Sequence, residues 1–255
     1  LISVITITRN NFEDLRRTLD SLAIAPNVES IVINGGSCTA TLEILSNHPG
    51  KVINEPDQGI SDAFNKGLRE ASGIGVAYLN AGDQLIQSEY YVLAEAALSK
   101  TPFVYADLIF DDPTAGPIKM KARENFDCLG KGMPFPHPTL VVRREEMMKL
   151  GGFSLSYRIA MDFEFTLRLL ASAPRGQYLP VTAVRMDGRG VSSSRESEAL
   201  LECRRALTEA GLFTGKNRQS YYGRWARYQA RRFLGSNTVG QALLAAVKSV
   251  KSSLR

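Results

Sequence analysis

Cysteine is scarce in this chain of 255 residues: only Cys38, Cys128 and Cys203 occur, odd in number and far apart. They form neither a zinc-ligand spacing nor a disulfide framework, which excludes a small stapled scaffold and favours a reducing compartment. No apolar run reaches the roughly 18 residues of a membrane-spanning helix. The chain opens at Leu1 directly into a strand-like run, so no signal peptide is expected. Internal repeats and low-complexity segments are absent. So is a glycine-rich phosphate loop after the first strand-like run, where Thr8-Arg9-Asn10-Asn11 stands instead. That weighs against a dinucleotide-dependent oxidoreductase, a P-loop enzyme and a nucleotidyltransferase.

What is present is globular in character. Hydrophobic residues make up 44% and charged residues 22%, which argues against a disordered or coiled-coil chain. The length suits one large domain, or one domain with an appendage. The net charge of +5 hides a division. Residues 204–255 hold eleven Lys/Arg against the single acid Glu209, so residues 1–203 are net acidic. A basic tail on an acidic body either meets an anionic surface, membrane or nucleic acid, or is a solvated helical face.

Hydrophobic periodicity predicts strands over 1–7, 31–33, 51–54, 75–79 and 103–105. Helices are predicted between them: one capped by Asn10 with Glu13 completing a capping box, one around Leu42 and Leu45, one over 60–71 and one over 89–98. Pro113, Gly116 and Pro117 suggest a hairpin or loop within an irregular stretch, 107–135. Further on, helices are expected over 144–150, 163–173, 193–210, 221–234 and 239–251. Two short strands broken at Pro180 are expected over 177–186. Strand–helix alternation builds a mostly parallel sheet flanked by helices, an α/β fold, and ligands in such sheets bind outside the carboxyl ends of the strands.

The residues at those ends are informative. Asn34-Gly35-Gly36-Ser37 follows the second strand; it is an ordinary turn, or a place where backbone approaches a ligand and Asn34 meets a base edge. Glu55-Pro56-Asp57-Gln58-Gly59 follows the third strand and leads into Ile60-Ser61-Asp62-Ala63-Phe64-Asn65-Lys66-Gly67. Asn80-Ala81-Gly82-Asp83 follows the fourth. Pro136-His137-Pro138-Thr139, Gly151-Gly152-Phe153 and Ala160-Met161-Asp162-Phe163-Glu164-Phe165 come later. In order and spacing over residues 1–170, this set resembles the family 2 glycosyltransferases of GT-A fold, of the type that builds bacterial surface polysaccharides.

The resemblance implies an inverting transferase. It would move a sugar from a nucleotide-diphosphate sugar, UDP- or GDP-linked, to a hydroxyl of a glycan or lipid-linked acceptor. A GT-A-like nucleotide-sugar-binding protein without catalysis is the alternative. The donor would be held by Thr8, Arg9, Asn34, Asp62, Lys66, Asn80, Gly82 and Asp83. The family usually has Asp where Asn34 stands, and an Asp-x-Asp metal motif where only Asp83 remains. A Mg²⁺ or Mn²⁺ bridge at Asp83 is implied, with Arg or Lys neutralising the phosphates as the alternative. Asp162 falls at the catalytic base and would otherwise serve as a helix cap. His137, Arg158 and Glu164 are candidates for acceptor or phosphate contacts. Asp162 and Glu164, two apart on a helix, cannot both face one pocket.

The expected organisation is a catalytic domain over 1–190, with a nucleotide-binding half at 1–106 and an acceptor half at 107–190, then a basic helical extension over 191–255. The extension mixes Tyr221, Tyr222, Trp225, Tyr228 and Phe233 with arginines, which suits an anionic membrane surface through residues 216–255. Nucleic acid is disfavoured because the body carries no motif for it. A cytoplasmic protein peripheral to the inner membrane face is the expectation.

Overall fold

The structure is a computed structural model that describes residues 1–235. The helix expected over 239–251 lies outside the described residues. In chain order the elements of the first half are β1 (Ile2–Thr8), α1 (Phe12–Ala23), β2 (Val28–Asn34), α2 (Thr39–Ser46), β3 (Lys51–Asn54), α3 (Ile60–Glu70), β4 (Gly75–Tyr78), β5 (Gln84–Leu85) and α4 (Tyr90–Leu98). The second half adds β6 (Phe103–Asp112), β7 (Gly116–Met120), β8 (Val141–Arg143), α5 (Arg144–Lys149), α6 (Met161–Ser172), β9 (Gln177–Asp187), α7 (Val191–Ser194), α8 (Glu196–Glu209) and α9 (Gly215–Gly235). Short 3-10 turns occupy Leu129–Lys131 and His137–Thr139.

The strands form one sheet in the order β3-β2-β1-β4-β8-β6-β9-β5, with β7 paired to β6. From β3 to β4 it is parallel, as the alternation predicts. Beyond β4 it is mixed, because β8 runs antiparallel to both β4 and β6 while β9 returns parallel to β6. β1 shows why the sheet is covered on both faces. Ile5 joins Phe64 and Leu68 of α3 in one core, whereas its neighbour Val4 joins Leu22 of α1 and Tyr91 and Leu98 of α4 in the other.

Several boundaries differ from the sequence reading. Asn11, not Asn10, caps α1: its Oδ1 accepts from Asp14 N at 3.3 Å. Asn10 adopts φ +56°, and its Oδ1 accepts from Ser37 N and Cys38 N at 2.9 Å each, tying the end of β1 to the start of α2. The irregular stretch contains the hairpin of β6 and β7. β9 is continuous rather than broken at Pro180. Its register steps from Ala106↔Leu179 to Asp107↔Thr182, so Pro180 and Val181 are skipped in a bulge that needs no N–H from the proline. The helix predicted over 193–210 is two helices, α7 and α8, and α9 begins six residues before the predicted start.

α8 buries Leu200, and it places Cys203, Ala206 and Leu207 in the same core as α3 and α6. α9 also packs on the body. Tyr221 is 2% exposed, and Asn217 Oδ1 accepts from Gly130 N at 3.0 Å. The basic extension is therefore anchored to the body at Asn217 and Tyr221 and, through Arg231, to Glu196.

Candidate functional site

The carboxyl ends of β1, β2 and β3 finish level, with Thr8, Asn34 and Asn54 in register. Thr8 is 7% exposed, and its Oγ1 has no hydrogen-bond partner among the described residues. The same holds for Asn80 Oδ1 beyond β4. Buried polar atoms left unpaired are costly, so two of them at one sheet edge mark a place where a ligand or water completes the pairing. Arg9 is exposed beside them.

Asn34 stands in this row but spends its side chain locally. Nδ2 donates to Gly36 O and Asn54 Oδ1 at 3.0 Å each, and Oδ1 accepts from Gly36 N at 3.1 Å. The side chain shapes the Gly35-Gly36 loop, and the backbone of that loop is what reaches the edge. A Cβ on Gly35 would overlap the Asp57 carboxylate, so glycine lets the loop after β3 close over the loop after β2. Asp57 Oδ1 accepts from Gly59 N at 3.0 Å, and Asp62 Oδ2 accepts from Gln58 N at 2.9 Å. Lys66 lies 3.0 Å from Glu55 and 3.5 Å from Asp62. Burial works against its charge, but the bond to Glu55 and the charges of Asp62 and Glu55 hold its pKa above the usual lysine value. Asp62 and Lys66 thus brace the entry to α3.

Asp83 is 5% exposed. Its Oδ1 accepts from Asp187 N at 3.1 Å, joining the loop after β4 to the end of β9. Gly82, at φ +108°, makes the turn that brings it there, and Gly82 N donates to Thr18 Oγ1 at 3.0 Å. Burial pushes the Asp83 carboxyl up to about 7; the Asp187 N–H opposes this, and the charges of Asp187 and Asp14 add to it. Those two neighbours are held by guanidinium groups, Asp187 by Arg189 and Asp14 by Arg17, and Arg189 also lies 3.6 Å from Asp14. A divalent metal needs ionised oxygens free to turn toward it. Asp83 is engaged through one oxygen, and among the described residues no cluster of three or more acidic, His or Cys ligands is present. A Mg²⁺ or Mn²⁺ ion at this edge would be held by Asp83 and would draw its carboxyl toward the ionised form.

The second centre lies at the start of α6 and the 3-10 turn His137–Thr139. α6 starts at Met161 with Ala160 at the N-cap position, so Asp162 belongs to the first helical turn and is not the cap. Its Oδ1 accepts from Phe163 N at 2.7 Å. His137 packs among Phe64, Tyr78 and Phe153, with ring centroids 5.7–5.9 Å away. Neither ring nitrogen has a partner among the described residues. Burial holds His137 below the usual imidazole value and Asp162 above the usual carboxylate value, each partly offset by the other's charge. The structure thus brings His137 and Asp162 together.

It does not bring the other two candidates to them. Glu164 is bound by Arg168, whose Nε and Nη2 donate to its carboxylate at 2.6 and 2.7 Å. Arg168 also donates to Leu150 O and Gly152 O, so this pair fastens the loop before α6. Arg158 is exposed, and its part in the site is its backbone N–H, which donates to Glu202 at 2.9 Å. Reading the sequence missed Asn10, Asp57, Asn65 and Glu202, all of which shape the site. Asn65 carried a signal, since it lies one turn from Ser61 and Asp62 within a motif; Glu202 carried none, because its partners are backbone groups some 40 residues away.

The profile of Glycosyl transferase family 2 matches residues 3–155. An uncharacterised glycosyltransferase of Mycobacterium tuberculosis is 33% identical over 216 residues, 78% of this chain and 79% of the relative. A PGL/p-HBAD biosynthesis glycosyltransferase of Mycobacterium bovis is 28% identical over 183 residues, 68% of this chain and 70% of the relative. Among solved structures, S. aureus TarS 1-349 in complex with UDP-GlcNAc superposes with a TM-score of 0.63 at 18% identity, covering 81% of this chain and 66% of that one. The chain therefore spans slightly less than two thirds of that TarS chain. The mannosyltransferase PcManGT from Pyrobaculum calidifontis, in complex with GDP-Man and Mn²⁺, superposes with a TM-score of 0.58 at 16% identity, covering 98% and 79%. At these identities the superpositions establish the GT-A-like fold alone.

Proposed function

Because this chain belongs to glycosyl transferase family 2 and is a glycosyltransferase, we propose that it transfers a sugar, with inversion, from a UDP- or GDP-sugar to a hydroxyl of a lipid-linked or glycan acceptor in surface-polysaccharide synthesis. The nucleotide lies along the carboxyl edge against Thr8, the Gly35-Gly36 backbone and Asn80. The base is Asp162. Its Oδ2 takes the acceptor hydroxyl proton, the acceptor oxygen bonds to the anomeric carbon, and the bond from that carbon to the diphosphate breaks on the opposite face with its electron pair leaving on the diphosphate. Arg9 brings positive charge to the leaving group. Asp62 and Lys66 hold the loop under the donor. No step is assigned to a metal.

The observation that carries this reading is the environment of Asp162. A carboxylate whose proton affinity is raised by burial is a stronger base than a solvated one, and its conjugate acid lies nearer neutral pH. The neutral His137 beside it supplies an unspent nitrogen to an acceptor hydroxyl or a water. The test is Asp162→Asn. Donor hydrolysis and transfer should fall at least about 100-fold, the usual weight of a general base. Stabilisation of the protein by UDP or GDP should persist, since the substitution leaves the nucleotide edge intact. Turnover within twofold of the unaltered protein would remove Asp162 from the role.

The lipid-linked acceptor is supported by the placement of α9. Arg231 pairs with Glu196, which sets the last turns of α9 beside the start of α8, just after β9 reaches the carboxyl edge. Arg218, Arg227 and Arg232 are exposed on α9, as are Tyr222 and Phe233. This mix of cations and aromatics suits an anionic lipid surface next to the site. No helix among the described residues is long and apolar enough to cross a membrane.

A further inference from the structure

We propose that Glu202, on α8 and beyond the part of the chain that the family profile covers, is a positioning residue for Asp162. The inference rests on the reading of Asp162 as the base. The start of α6 is the weak point of the site: its cap position is Ala160, which has no side chain to accept from the unpaired N–H groups of a helix end. Glu202 reaches across from α8 and takes the N–H of Ala160 together with those of the two residues before it. Its Oε1 accepts from Arg158 N at 2.9 Å, and its Oε2 accepts from Ile159 N at 2.9 Å and Ala160 N at 2.7 Å. Three consecutive backbone donors on one carboxylate are charge-assisted hydrogen bonds, about twice as strong as neutral ones, and they sit at the positive end of the helix.

The same loop is held from the other side by α3. Ser61 Oγ donates to Tyr157 O at 3.0 Å, and Asn65 exchanges two hydrogen bonds of 2.8 Å with the backbone of Phe153. Residues 153–160 are therefore clamped between α3 and α8. Asp162 follows two residues later, and its carboxylate is bonded to the backbone of the first turn, so it moves with that turn. A displacement of about 1 Å at a reacting group is enough to cost a factor on the order of 100 in rate.

Glu202 also sets charge. The titratable groups facing Asp162 are His137 from the 3-10 turn and Glu202 and Cys203 from α8; Glu164 on its own helix is neutralised by Arg168. Arg195 and Arg205 face Glu202. The negative charge of Glu202 adds to burial in holding the Asp162 proton. Removing it lowers the proton affinity of Asp162, so the acid limb of the rate profile, where the base becomes protonated, moves to lower pH.

The test uses the full chain with Glu202→Gln and Glu202→Asp. In Glu202→Gln, kcat should fall about tenfold or more, the donor KM should stay within about twofold, and the acid limb should move to lower pH, as for loss of one like charge. Glu202→Asp keeps the charge but is too short to span three donors, so kcat should fall with the limb unmoved. A merely structural role would lower stability without moving the limb. Wild-type kcat and an unshifted limb in both variants would overturn the proposal. Should the unaltered protein turn over no UDP- or GDP-sugar, the functional reading fails by itself. Carbon-13 titration of the Asp162 carboxyl in the two proteins then still decides about Glu202, with equal pKa values counting against it. Should Glu202→Gln not fold, amide exchange in the unaltered protein carries the test. Arg158, Ile159 and Ala160 should be protected at neutral pH, whereas fast exchange at pH 7 would refute the clamp.

Discussion

Asp83 and Asp162 are both aspartates withdrawn from water, yet their surroundings suit different work. Asp162 faces a histidine with unspent nitrogens, whereas Asp83 faces two more carboxylates and accepts a backbone N–H. The folded-state pKa of Asp83, about 7, lies above the unfolded value near 3.8. Its contribution to stability is therefore complete below about pH 4 and is lost as pH rises through 7. Asp83→Asn keeps an oxygen for the Asp187 N–H and never ionises. At pH 8 it should melt several degrees higher than the unaltered protein, an effect on the order of a few kcal/mol, and at pH 4 the two should melt together. Calorimetry at the two pH values reads this directly; a lower melting temperature at pH 8 would mean that the ionised carboxylate has a partner here. The motif Asn80-Ala81-Gly82-Asp83 is legible as a loop at a sheet edge, but not which way Asp83 turns. That depends on Asp187, more than 100 residues later. Asn34 gives the same lesson, since residue type offered it to a ligand and local geometry spent it on Gly36 and Asn54.

α3 is the element on which the two halves meet. One face supplies Phe64 and Leu68 to the core, and Ser61 and Asn65 hold the loop that precedes the base. Its closeness to β1 depends on Gly67, where a Cβ would overlap the Cγ2 of Ile5. Gly67→Ala gains about 1 kcal/mol in helix propensity but overpacks a core contact, which costs roughly 1–3 kcal/mol. The contact should win: urea unfolding should show a net loss of up to about 2 kcal/mol, and the outward shift of α3 should lower kcat through the 153–160 loop. An unchanged midpoint would show that the helix slides without cost. The amphipathic spacing of α3 was legible, as were β1 to β4, because each is a continuous run with one period. β9 was harder. Pro180 signals a break, and only the partner strand reveals that the break is a bulge in one long strand. The short β5 has two residues and no period to detect.

Across the molecule, the uneven charge is expressed as a helix docked on an acidic body. Truncation near residue 215 would strip Asn217 and Tyr221 from their packing, so charge reversal is the cleaner probe of a membrane role. Arg218→Glu, Arg227→Glu and Arg232→Glu together alter exposed groups and leave Arg224 and Arg231 in place. At about 1 kcal/mol per cation near an anionic surface, binding to phosphatidylglycerol vesicles should weaken by about 100-fold or more, while stabilisation by UDP or GDP should be unchanged. If the unaltered protein does not sediment with such vesicles at low salt, the membrane reading is wrong.

Taken alone, the amino-acid order determined the parallel half of the sheet, the loops at its carboxyl edge and the family, and it offered Asp162 as a candidate base. Those rest on local periodicity and on motifs read within a few residues. Tertiary structure decided which of these side chains are free to act. It spent Asn34 and Glu164 on neighbours, withdrew Asp83 among other carboxylates, set His137 beside Asp162 and brought Glu202 to the start of α6. Pairings of that kind depend on where distant segments pack, and hydrogen bonds to backbone leave no trace in the identity of the residue that donates them.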